Sequence, residues 1–374
     1  MTDSYCEVLL PFHSSSDLLE AYTNTSGGIR TGKLMEHLDS IAGSIAYKHM
    51  LGPVESVGNV TGLGFYVVTA SVDRLDMLAP LYPVRDLRLS GQVIHVGRSS
   101  MEVAVRMEAL PIDGKGEEQT VMLGRFCMVC RDSKTHKAHP VNPLVVETEE
   151  DRMLDKLGEV HKNRRTQYAV QSLARVPPSS EEAAALHALY LQSTHSTNES
   201  TSLSGKKGGI ERVAIGDTRV EKTLMMYPQE RNIHQKIFGG YLMRLAYELG
   251  YTNSMIFTRG PVRFLSLDSI AFAKPVPIGS VLHLTSHILH TENTEQYPAL
   301  IHVGVKATVI DIKTGSEDLT NDFRFTWCRE EGEPAGRTVV PMTYQESMWW
   351  IEGKRALDLG AEIREIRQKQ RHDS

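Results

Sequence analysis

At 374 residues the chain is too long for one ordinary core and fits two domains with a connector. Its 41% hydrophobic and 23% charged composition predicts a soluble globular protein, and no apolar run reaches the roughly 20 residues of a membrane helix. A net charge of -5 and a pI near 6.3 exclude a global attraction to nucleic acid or an anionic membrane, so an anionic ligand must meet local positive charge. Four cysteines exclude a secreted-type disulfide framework and point to a reducing compartment.

The opening residues, Met1 to Glu7, contain neither the apolar core of a secretory signal nor an Arg-rich presequence pattern. Thr31 to Asp39 opens a helical pattern that continues through Ile41, Ala42, Ile45 and Ala46. Strand-like runs follow at Gly64 to Val72, Asp86 to Val96, Met101 to Leu110 and Val121 to Arg131. The region from Lys137 to Gly216 differs in kind. Glu147 to Gln171 reads as a charged helix, Pro177 to Ser180 breaks it and supplies a cap, Glu181 to Gln192 reads as a second helix, and Thr194 to Gly209 reads as a loop.

The first pattern then recurs. Gly239 to Ala246 opens a helix through Leu249, and strand runs follow at Val262 to Phe272, Ser280 to His290, Leu300 to Ile310 and Asn321 to Cys328. In each half a glycine stands two residues before Leu-Met, at Gly32 and Gly240. One helix followed by four or five antiparallel strands, twice over, is an α+β pattern. The boundaries it predicts are 5–136 for the first domain, 137–216 for the connector, 217–335 for the second domain and 336–374 for an extension whose polar end frays.

The run Arg231 to Met243 carries N-x5-F-G-G-x-L-M and resembles the hot-dog acyl-CoA thioesterases, in particular the subfamily of acyl-coenzyme A thioesterase 9. Pro228 to Asn232, Leu34 to Asp39, Val141 to Leu144 and Tyr344 to Met348 carry the same resemblance, which covers about Asp3 to Arg355. It implies a tandem double hot-dog in which each antiparallel sheet wraps a central helix. It also implies acyl-CoA as substrate, CoA as product, a site at the seam between halves, and a homo-oligomer of three double units. The subfamily is mitochondrial, which implies the matrix; the start of the chain as written would instead fit the cytoplasm.

Thioester hydrolysis needs an activated water and a stabilised carbonyl oxygen. Asp39, seven residues after Gly32, stands where the family places its catalytic carboxylate and is assigned as general base, with direct nucleophilic attack as the alternative. Asn232, seven residues before Gly239, is assigned to orient water or donate to the carbonyl oxygen. The backbone N–H of Gly240, at a helix N-terminus, is assigned as oxyanion donor, and Gly239 to the close approach of substrate. Read without the resemblance, Asp39 is a structural acid that caps or pairs and Asn232 a cap or turn former; their joint position in the family pattern is what assigns them to chemistry.

The pseudo-equivalent of Asp39 is Tyr247, so the second site reads as inactive, and Tyr247, Glu248 and Asn24 read as structural. Asn24 stands eight residues before Gly32 as Asn232 does before Gly240, but its surroundings do not otherwise match. Arg98, Ser99 and Ser100 form a turn that resembles a substrate-side turn of the family and could meet CoA phosphates; Thr291 to Glu295, its counterpart, is acidic. A solvated turn arginine is the alternative for Arg98. Cys127-Met128-Val129-Cys130 reads as strand core and not as metal ligands, Gly205 to Gly209 lacks the P-loop order, and no metal or redox cofactor is implied. Two rival functions remain: an enoyl-CoA hydratase or dehydratase, for which His234 stands close to Asn232 whereas His37, two residues from Asp39 on a helix, points elsewhere, and a non-catalytic acyl-CoA binding protein.

Overall fold

The computed structural model describes residues 1–52, 63–112, 116–197, 206–207, 210–232 and 235–372. The first half contributes β1 (Cys6–Leu10), α1 (Ser16–Tyr22), α2 (Thr31–Leu51), β2 (Phe65–Met77), β3 (Leu87–Val96), β4 (Ser100–Ala109) and β5 (Gln119–Asp132). Then come α3 (Glu149–Val170), α4 (Ser180–Thr197), β6 (Lys206–Lys207) and β7 (Ile210–Ala214). The second half holds β8 (Val220–Met225), α5 (Gly239–Thr258), β9 (Arg263–Phe272), β10 (Val281–Glu292), β11 (Ala299–Ile310) and β12 (Glu317–Arg329), before β13 (Arg337–Val340) and α6 (Tyr344–His372).

Ten strands form one antiparallel sheet in the order β1-β3-β4-β5-β2-β9-β12-β11-β10-β8. The order is a palindrome of the repeat, with β2 and β9 at its centre, so the halves are joined by main-chain pairing from Ser71↔Ala271 to Asp76↔Ser266. Each half therefore buries one sheet edge that an isolated hot-dog would expose. The central helices meet above this junction and share one continuous core with both inner sheet faces. The helix forms because Leu34, Met35, Leu38, Ile41, Ala42 and Ile45 place a buried stripe at helical spacing, and Gly52, at φ +79°, ends it.

The repeat reaches further than the helix and four strands legible in the sequence. Short edge strands β1 and β8 precede each helix, and a covering helix follows each half: α3 lies on β3, and α6 on β10. Gly158 of α3 packs on His95, and Gly353 of α6 packs on His290, the same contact in both halves. α6 thus differs from the fraying tail expected after Met348, because its own Met348, Ile351 and Leu357 are buried against the fold. In the connector, Ser179 Oγ accepts from Glu182 N–H as the expected cap, and α4 runs to Thr197, into the stretch read as a loop; 198–205 and 208–209 lie outside the described residues. Cys127 and Cys130 are both buried in β5, and burial pushes their thiols up to about 12 and about 11. No described helix is long and apolar enough to cross a membrane.

Candidate active site

Neither α2 nor α5 has a side-chain cap from its own N-cap residue, Arg30 or Phe238. The unpaired N–H groups at each helix start therefore look for partners across the seam. At the start of α5 the partner is Asp39, whose carboxylate accepts from the Gly240 N–H and, through Oδ1, from Thr69 Oγ1 at 2.7 Å. Asp39 is 2% exposed, and burial raises it to about 6 against the pull of these two hydrogen bonds, which favour the ionised form. A carboxylate from the first half thus caps a helix of the second.

Glycine is required at both 239 and 240 for space. A Cβ at Gly239 would lie 3.1 Å from Asp39 Oδ2 and 3.2 Å from the Phe272 ring. One at Gly240 would lie 2.9 Å from the Glu36 Cα, so α5 rests directly on the α2 backbone. Glu36 and Arg244 occupy equivalent places on the two helices and pair with each other at 3.0 Å beside this contact.

Asn232 lies in the loop that delivers α5. Its N–H donates to Lys236 O at 2.7 Å, its Oδ1 accepts from Lys236 N–H at 3.1 Å, and its own C=O accepts from Gln235 N–H at 3.1 Å. Ile237 N–H to Val276 O and Phe238 N–H to Glu230 O tie the loop down at its exit. The turn-former reading of Asn232 therefore holds in full for its Oδ1. Ile233 and His234 lie outside the described residues. His37 turns away from Asp39: its Nε2 is 2.5 Å from Tyr22 Oη and its ring stacks on that tyrosine.

Asn24 corrects the sequence comparison. Its N–H donates to Gly28 O at 2.7 Å, its Oδ1 accepts from Gly28 N–H at 2.9 Å, and Gly27 N–H donates to its C=O at 3.1 Å, which is the Asn232 turn bond for bond. Gly27 and Gln235 both take positive φ at the same step. The turn survives because it needs only the leading asparagine and a residue tolerant of left-handed backbone, not a shared sequence around them.

Across the seam the pseudo-equivalent place is filled. Tyr247 is 8% exposed and packs among Phe264, Phe325 and Trp327, with its hydroxyl bonded to Thr31 and its ionisation pushed far up by burial. Glu248 pairs with Arg30. The partner missed by sequence reasoning is Thr69, since a threonine in a β-rich run carries no signal of its own.

Arg98, Ser99 and Ser100 occupy the β3–β4 turn, closed by Gly97 N–H to Ser100 O at 2.8 Å and tied to β5 by Cys130 N–H to Ser99 O at 2.9 Å. Arg98 is exposed. Thr69, Met128 and Met101 lie on one cross-strand row, so the turn begins two strands, about 10 Å, from Thr69.

The thioesterase superfamily profile matches residues 30–113, which span α2 to β4. The chain is 36% identical over 358 residues to mitochondrial acyl-coenzyme A thioesterase 9 of Homo sapiens, covering 95% of this chain and 77% of that protein. It is 33% identical to chloroplastic acyl-coenzyme A thioesterase 2 of Humulus lupulus, over 94% of this chain and 79% of that protein. Among solved structures, one assigned as an oleoyl thioesterase from Lactobacillus plantarum shares the fold at a TM-score of 0.51 and 8% identity, covering 88% of this chain and 96% of that one. The chain belongs to the acyl-coenzyme A thioesterase family.

Proposed function

We propose that the protein hydrolyses fatty acyl-CoA thioesters to free fatty acid and CoA at one site shared between its halves. The observation that carries this reading is Asp39, a buried carboxylate at about 6 held by Thr69 and by the Gly240 N–H of the opposite half. Such a group is a stronger base than an exposed aspartate yet stays ionised at neutral pH.

In the proposed step Asp39 takes a proton from water as the water oxygen attacks the thioester carbonyl carbon. Direct attack by the carboxylate, giving a mixed anhydride that water opens, is the alternative. A carbonyl oxygen only accepts, so the group Asn232 offers it is the Nδ2 donor, while Oδ1 stays with the Lys236 N–H. Protonation of Asp39 weakens its hold on the Gly240 N–H, which then turns to the developing oxyanion at the positive end of α5. Collapse of the intermediate expels CoA thiolate, which recovers the proton from Asp39. Gly239 leaves the space beside Asp39 Oδ2 in which the thioester sits, and Arg98, Ser99 and Ser100 receive the phosphates of CoA.

The hydratase alternative asks for a histidine beside the carboxylate: His37 is engaged with Tyr22, and His234 lies outside the described residues, so addition of water to an enoyl-CoA is the assay that tests it. The mitochondrial names of several relatives support a mitochondrial location, and the matrix is the compartment we propose within it, which targeting of a tagged chain tests. Family resemblance supports a trimer of double hot-dogs, which sedimentation would register as three times the 41.7 kDa chain mass.

The test of function is release of free CoA from saturated acyl-CoAs of increasing chain length. Release that saturates with substrate is expected for at least part of the series. Absence of release at every length would reject hydrolysis and leave hydration or binding.

A further inference from the structure

The connector helix α3 carries a run of basic residues over the outer face of the first half, on a chain whose net charge is -5. Most of these cations have partners. Arg165 pairs with Asp73 and with the buried Glu102, and Arg164 donates to Tyr168 Oη at 3.0 Å. Lys162, like Lys156 a turn and a half earlier, is exposed and makes no ion pair among the described residues. A Cβ placed on Gly97 would lie 3.2 Å from Lys162 Nζ and 2.7 Å from Ser100 Oγ, so this ammonium stands directly over the β3–β4 turn. Arg98, the exposed cation of that turn, likewise has no ion-pair partner among the described residues.

Two cations gathered at one turn repel each other, and neither has an ion-pair partner there among the described residues. The second half shows what the place looks like without them. There Gly353 on His290 matches Gly158 on His95, which brings Leu357 of α6 to the position of Lys162. Leu357 is 2% exposed and clusters with Leu265, Tyr297, Leu300 and Cys328; Leu300 stands where Ser100 stands, and the neighbouring turn carries Glu292 and Glu295. The same helix contact is closed by apolar packing in the half without the Asp39 carboxylate, and left open and cationic in the half that has it.

We infer that Lys162 of α3 and Arg98 of the β3–β4 turn together form the phosphate clamp for the nucleotide end of CoA, so that the connector helix is part of the substrate site. The clamp lies on the correct half and at a usable distance. Arg98 lies two strands across from Thr69 and three residues along from Met101, about 14 Å along the sheet from the threonine that holds Asp39, within the reach of an extended pantetheine arm. Gly97, bare of a side chain, leaves the surface between Lys162 Nζ and Ser100 Oγ open to a phosphate oxygen. The inference rests on the acyl-CoA reading for the identity of its ligand.

Binding of CoA and of pantetheine to the full chain, measured by calorimetry, tests it without turnover. The wild type binds CoA more tightly than pantetheine, and Lys162→Ala reduces that preference roughly tenfold, as loss of one charge-assisted phosphate contact does. Arg98→Ala has a similar effect, Lys162→Arg retains the preference, and raising salt narrows the gap between wild type and Lys162→Ala. Because Lys162 is exposed, an unchanged thermal melt accompanies the loss. Equal CoA affinity in wild type and Lys162→Ala, or no preference of the wild type for CoA over pantetheine, overturns the clamp. A chain that shows the Lys162 effect on CoA binding yet releases no CoA from any acyl-CoA keeps the clamp and loses the hydrolase.

Discussion

The two ends of the helix-helix seam are built alike and filled differently. At one end Asp39 reaches across to the start of α5, with Thr69 beside it and glycine at 239 and 240. At the other, Tyr247 reaches across to the start of α2, with Phe264 beside it and Thr31 before Gly32. Even the approach loops match, since Asn24 and Asn232 close the same turn. The comparison shows that the scaffold of a site and its chemistry part company easily: turn, glycine contact and helix start persist where the carboxylate and its threonine are replaced by aromatic packing.

That packing makes the Tyr247 end a piece of core, and the largest effect follows from treating it otherwise. Tyr247→Asp, which restores the carboxylate by position, destabilises the fold by about 4 kcal/mol, because it opens a cavity among Phe264, Phe325 and Trp327 and buries a charge there. Chemical denaturation measures this. A variant as stable as wild type that gains turnover would mean that the two ends are interchangeable.

Asp39 shows the opposite behaviour, since its burial is a cost held in place. Its native pKa, about 6, stands above the ordinary 3.8, so the native state binds its proton more strongly than the unfolded chain. The protonated carboxyl's contribution is fully present below the unfolded value and is lost as pH rises through about 6. Roughly two units correspond to about 3 kcal/mol, so Asp39→Asn gains about that much relative to wild type between pH 3.5 and pH 7. Denaturant midpoints at the two pH values check the sign. Equal pH dependence in both proteins would place Asp39 in water.

The glycines at the two ends sharpen the comparison. A Cβ at Gly240 meets the Glu36 backbone at 2.9 Å, whereas one at Gly32 stays above 3.0 Å from everything, with the Arg244 side chain at 3.1 Å and the Tyr247 ring at 3.3 Å. Gly240→Ala is therefore expected to cost about 2 kcal/mol and to displace the Asp39 cap, and Gly32→Ala to cost less than half of that. A reversed order in thermal melts would contradict the contact. The smallest effect belongs to the axis itself, where Glu36→Gln, which breaks the half-buried pair with Arg244, costs about 1 kcal/mol. In a double-mutant cycle with Arg244→Met, a coupling near zero would remove this pair from the account of the seam.

These contrasts explain what could be read from the chain alone. The two central helices and eight inner strands were legible because apolar spacing and the Gly-x-Leu-Met run repeat across both halves, whereas Asp39 was singled out only by the family resemblance, since the repeat puts Tyr247 in its place. Thr69 was not, because its role arises only when β2 lies beneath α2. The edge strands β1 and β8 are short and carry little periodicity, and α3 and α6 share no pattern beyond a glycine where each meets a histidine. Lys162 looked like any residue of a solvated helix until its ammonium was placed over the Gly97 turn. The equivalence of the Asn24 and Asn232 turns escaped for a related reason, since main-chain hydrogen bonds leave almost no trace in sequence.

The central claim is one catalytic site assembled from both halves, and steady-state CoA release by Asp39→Asn, Asn232→Ala and the double variant tests it most directly. If the two residues serve one site, each single variant loses most of the activity, Asp39→Asn by about a thousandfold, and the double variant falls little below Asp39→Asn. If each single variant keeps about half of the activity and only the double variant is inactive, the halves work as two separate sites and the shared-site account is wrong.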